Sequence, residues 1–64
     1  MIAIVKISQT EFHKYHVRNL LNFTKWLDTK FPGWKWYNVF DKKTNLQIGN
    51  FTTKQRPTAA KIDL

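Results

Sequence analysis

The chain has no cysteine, two glycines, two prolines and only four acidic residues among its 64. Without thiols, neither a disulfide nor a thiolate metal site can staple so small a domain, and the redox compartment is left open. Glycine occurs only at Gly33 and Gly49, so no glycine-rich loop is present to cradle a phosphate. The four carboxylates stand apart at Glu11, Asp28, Asp41 and Asp63. Catalysis needs acids, bases or nucleophiles that converge in a cleft, so the chain reads as a non-enzyme. His13 and His16 are three residues apart but lack a third ligand of suitable type, and no metal or cofactor is expected. The longest apolar run, Met1 to Val5, falls far short of the roughly 20 residues that cross a bilayer. No signal-peptide pattern follows a basic start, and a cytoplasmic location is expected.

What is present is positive charge and aromatic surface. Eleven Lys and Arg give a formal net charge of +7, alongside five Phe, three Trp and two Tyr. Such a balance favours a polyanion or an anionic surface as partner. A domain of this size buries only about 60 % of the surface its unfolded chain exposes, so dimerisation or ligand binding would add useful stability.

Ile2 to Ser8 is rich in β-branched residues and suits a strand buried on both sides of a sheet. Ser8 or Thr10 can cap a following helix, with Glu11 at the positive end of its dipole. From there Phe12, His16, Leu20, Phe23, Leu27 and Phe31 recur at spacings of three or four, which predicts one long helix ending at Phe31-Pro32-Gly33. Trp34 to Phe40 and Leu46 to Lys54 then alternate as two strands around Asp41-Lys42-Lys43-Thr44-Asn45, a hairpin. The expected fold is therefore α+β in the order β-α-β-β. It has a three-stranded sheet, one amphipathic helix packed on one face, a single domain over residues 1–54, and a C-terminal tail or short helix over 55–64. No motif here fixes a named family.

The hairpin register decides which rings are exposed. If Asp41 pairs with Leu46, then Val39 faces Ile48 and Tyr37 faces Asn50 on the helix side. Trp34, Trp36, Phe40 and Phe51 then occupy the other face. A slip of one residue instead gathers Trp34, Trp36, Phe40, Leu46 and Ile48 on one face as core. Asp before the loop and Asn at its last position suit a type I turn followed by a left-handed residue, which favours the first register. The competing account is that large rings in a tiny protein fill its core.

The function expected from these features is weakly sequence-specific binding of DNA or RNA. Rings of Trp34, Trp36, Tyr37, Phe40 or Phe51 would stack on bases, while Lys35, Lys42, Lys43, Lys54 and Arg56 neutralise phosphates. A secondary basic stripe of Lys14, Arg18 and Lys25 falls in one sector of the expected helix. Nine lysines against two arginines argue against bidentate reading of guanine. The alternative is a protein-interaction module, a small regulator or inhibitor of mobile-element type, that docks on a protein or forms a homodimer through the aromatic face. Membrane binding is disfavoured, because the helix's apolar stripe already has a sheet to cover.

Overall fold

The computed structural model describes residues 1–58. Four strands and one helix follow in the order β1 (Ile2–Lys6), β2 (Phe12–His16), α1 (Leu20–Lys30), β3 (Trp36–Phe40) and β4 (Gln47–Thr52). The strands form one antiparallel sheet ordered β2-β1-β3-β4. The class is α+β as expected, but the sheet has four strands and not three. Of the expected tail, residues 59–64 lie outside the described residues.

The extra strand comes from the segment expected to open the helix. Phe12-His13-Lys14-Tyr15-His16 satisfies a helical repeat at Phe12 and His16, yet it is equally an alternating run of residues that fit a pleated surface. The strand wins because a better helix start lies further on. Asn19 is the N-cap, its side-chain oxygen accepting from the Asn22 amide at 3.0 Å, and α1 begins at Leu20. Ser8 and Thr10 fall in the β1–β2 turn, closed by Ile7 N donating to Glu11 O at 2.9 Å.

Alternation along β1 divides the sheet. Ala3 and Val5 are fully buried beneath the helix, and their neighbours in register, Tyr15, His13, Tyr37 and Val39, share that side. The helix contributes Leu20, Thr24 and Leu27, spaced by four and three along one stripe. Trp34, only 2 % exposed, completes this core. Phe51 lies against Tyr37 with ring centroids 5.4 Å apart, and Phe23 meets the same tyrosine edge-on at 5.3 Å. Tyr37 is thus the hub of a continuous aromatic cluster. Its hydroxyl lies 2.8 Å from Thr24 Oγ1, which gives its own proton to Leu20 O at 2.7 Å. A hydroxyl has one proton, so Tyr37 donates to Thr24. Burial pushes the Tyr37 phenol above its ordinary pKa and keeps it in the donating form.

The hairpin combines features of both expected registers. Asp41 N donates to Leu46 O at 2.9 Å, and Asn45 takes the left-handed conformation at φ 61°, as the favoured turn requires. Beyond it, Phe40 pairs with Gln47 but Val39 with Gly49, so Ile48 is the extra residue of a β-bulge. The bulge shifts the remaining pairs by one and sets Tyr37 opposite Phe51 and Trp36 opposite Thr52. The bulge therefore turns Phe51 to the helix side, where it is half-buried against the core, and Trp34, in the segment before β3, is itself a core residue; both correct an expected place on the outer face.

Leu27→Ala and Leu20→Ala should each cost about 2–5 kcal/mol in chemical denaturation, as truncations within a filled core do. Tyr37→Phe, which removes one buried hydrogen bond and little volume, should cost about 1 kcal/mol.

Candidate functional site: the open face of the sheet

Among the described residues, nothing covers the side of the sheet away from α1. Register places three rows of side chains there, each crossing all four strands. The first is His16, Ile2, Phe40, Gln47; the second Lys14, Ile4, Asn38, Asn50; the third Phe12, Lys6, Trp36, Thr52. No carboxylate occurs among these twelve residues.

The rings stand at opposite ends of the face. Phe40 belongs to the first row. In the third, Phe12 is 53 % exposed and meets Trp36 edge-on at 6.0 Å, with Lys6 Nζ 5.7 Å from the centre of the Phe12 ring. A cation held over a ring face in this way is attracted by the ring quadrupole. Between the ends, the Asn50 side-chain amide donates to Asn38 Oδ1. That pairing leaves the Asn38 amide donors and the Asn50 carbonyl to a ligand. Near Phe40 the surface dips into a depression of about 200 Å³ lined by Ile2, Ile4, Lys14, Phe40 and Asn45.

The acidic groups closest in sequence to this face are turned to other work. Glu11 Oε2 lies 2.6 Å from His13 Nε2, and the other nitrogen of that ring lies 2.8 Å from the Tyr15 hydroxyl, on the helix side of β2. Burial, and secondarily the Glu11 charge, raise the Tyr15 phenol above its ordinary pKa. Asp41 accepts the Lys43 and Thr44 amides at 2.7 and 3.0 Å within its own turn. Those bonds, Thr44 foremost, hold its carboxyl below the usual aspartate value. Asp28 lies on the helix, where it accepts from Trp34 Nε1 at 3.1 Å and forms an ion pair with Arg56. The Arg56 hydrogen bond first, and then that of Trp34, lower its pKa, while Asp28 in turn raises that of Arg56.

Of the expected site residues, Trp36 and Phe40 stand on the open face. Lys35 immediately precedes Trp36, and Lys54 follows Thr52, the cross-strand partner of Trp36. Lys42 and Lys43 are exposed in the turn next to Phe40. Trp34 is internal, Phe51 is half-buried on the helix side, and Arg56 is committed to Asp28. The secondary stripe is dispersed because α1 starts only at Leu20. Lys14 stands on β2 within the open face, Arg18 in the loop before the helix, and Lys25 on the helix. Phe12, Lys6, Ile2 and Ile4 were not expected in the site. For Ile2, Ile4 and Lys6 the only signal was their alternation against Ala3 and Val5, and for Phe12 the alternation of Phe12 to His16; both gain meaning once a strand lies on each side of β1.

No protein-family model, curated protein or solved structure matches the chain. Among the described residues, no helix is long and apolar enough to cross a membrane, and no cluster of three or more His, Asp or Glu could hold a metal ion.

The lowered pKa values of Asp28 and Asp41 fix the sign of an acid effect. Their contribution to stability is fully present above the unfolded aspartate value of about 3.9 and is lost as pH falls through the lower folded values. Thermal melts between pH 6 and pH 2 should show this loss, and Asp28→Asn should remove its share. Since the Asp28 and Arg56 side chains are 45 % and 39 % exposed, that share should stay below about 1 kcal/mol.

Proposed function

We propose that the protein binds nucleic acid on the open face of its sheet, through charge and ring stacking and with little reading of sequence. One observation carries this reading: rings and lysines share a face whose twelve described residues include no carboxylate. Trp36, Phe40 and Phe12 supply flat apolar surfaces, on which a base stacks for about 1–3 kcal/mol whatever its identity. Lys6 and Lys14 lie among them, and Lys35, Lys42, Lys43 and Lys54 border the strand ends, within reach of a backbone whose bases rest on the rings.

Charge supports the same partner. A phosphate chain complements these lysines and releases its counterions on binding. The low arginine content fits weak sequence preference. Arg56 is engaged by Asp28 and Arg18 lies off the face, so neither of the two arginines is among its twelve residues. The competing reading is a homodimer, or a docked protein, on the same apolar strip of Ile2, Ile4, Phe12 and Phe40.

A salt series of fluorescence anisotropy with labelled DNA and RNA, using one preparation also examined by light scattering, separates these. If about four phosphates are contacted, log affinity should fall against log salt with a slope near −3 to −4. Trp36→Ala should weaken binding by about 1–3 kcal/mol with the fold retained, since it leaves the helix-side core intact. Lys6→Ala/Lys14→Ala should flatten the salt slope, and Lys25→Ala/Lys30→Ala, on the helix, should leave it unchanged. Salt-independent association, or a dimer that forms without nucleic acid and is abolished by Trp36→Ala, would overturn the reading.

A further inference from the structure

We infer that the ligand is a single strand, with one base seated in the depression beside Phe40 and a second stacked at the Phe12–Trp36 end. The inference rests on the nucleic-acid reading and adds to it which form of nucleic acid is bound, and where. The depression is the first ground. At about 200 Å³ it is smaller than the roughly 300 Å³ where pockets for drug-sized ligands begin, so it suits one ring system and not a chain of them. Ile2 and Ile4 give it an apolar lining, Phe40 an aromatic one and Lys14 a cation, while Asn45 brings a side-chain amide able both to donate and to accept. An apolar bed with one positive charge and one two-way hydrogen-bonding group matches the chemistry of a nucleotide: a flat ring with polar edges, tied to a phosphate.

The second ground is the face as a whole. A ring stacks only on a base whose own face is free, and duplex bases are covered by their neighbours above and below. Groove reading calls for a projecting helix or ribbon, whereas these rings belong to a broad sheet. Phe40 lies four residue steps from Trp36 along β3, about 13 Å at the usual strand rise. Bases laid on these rings face the sheet and not one another, so the strand between the stations is splayed and needs fewer nucleotides than the roughly five that a stacked rise of about 3.4 Å would require. Each station has its own cations: Lys14, Lys42 and Lys43 at the Phe40 end, and Lys6, Lys35 and Lys54 at the Trp36 end. The Asn38–Asn50 pair offers polar groups to whatever base lies between.

The test uses the whole chain with oligo-dT and oligo-rU of two to ten nucleotides, and a mixed-sequence strand compared with its own duplex. Single strands should bind at least about tenfold more tightly than the duplex. Affinity should climb with length only up to about five nucleotides or fewer, and thereafter rise only with the number of available registers. The DNA and RNA arms show which sugar is preferred and bear equally on the claim. Asn45→Gly keeps the left-handed turn, because glycine accepts that conformation freely, and deletes the amide. It should weaken single-strand binding while leaving the melting curve in place. On titration with a pentanucleotide, the Ile2 and Ile4 methyl signals and the Asn45 side-chain amide should shift together with the Trp36 indole. Duplex bound as tightly as single strand, or Ile2, Ile4 and Asn45 signals that stay put while Trp36 moves, would overturn the two-station arrangement and leave the broader reading standing. Absence of binding to every nucleic acid would overturn both.

Discussion

One helix can cover only one side of a four-stranded sheet. The eleven residues of α1 span about 16 Å, enough to seal Ala3, Val5, Tyr37 and Val39 from water but leaving the far side bare among the described residues. Each strand must then serve two environments at once. In β1 and β3 the buried side carries small or strongly packing residues, and the opposite side carries isoleucine, lysine, asparagine and rings, a mixture suited neither to a dry core nor to an inert surface. The candidate site is in this sense a product of the chain's small size, since among the described residues there is no second layer to hide it.

The covered side joins an aliphatic core to a connected set of rings. Tyr37 touches Phe23, Trp34 and Phe51, and a further run of rings passes from Phe23 through Tyr15 and Trp26 to Phe31 and His13. Rings in offset and edge-to-face contact contribute directional energy beyond the area they bury, which helps a domain too small for a deep core. The buried polar atoms on this side are paired, Thr24 with Leu20 and Tyr37 being the clearest case. The Trp34–Asp28–Arg56 contacts join the segment after β4 to the helix and hold the arginine beside it.

The class of the fold, the first strand, the second half of the helix and the hairpin turn were all legible in the residues. Asp41 and Asn45 adopt the roles that their chemistry implies. Two features were not. Phe12 to His16 satisfies both a three-to-four repeat and strict alternation, and only the tertiary pairing with β1 decides between them. The bulge at Ile48 leaves no local mark stronger than the neighbouring Gly49, yet it determines the side on which Phe51 falls. The aromatic and basic character of a surface could therefore be anticipated, and Trp36 and Phe40 with it. The exchange of Trp34 and Phe51 for Phe12 and Lys6 depended on long-range register, which a single chain's pattern does not encode.

The same bulge bears on how the molecule behaves in company. β4 forms one outer margin of the sheet, and a straight margin offers its free amides and carbonyls to any passing strand, the first step toward fibrous growth. Ile48 breaks the even spacing of that ladder and sharpens its twist, so an incoming strand finds no long template to extend. On this margin the irregularity works against pairing between copies of the chain.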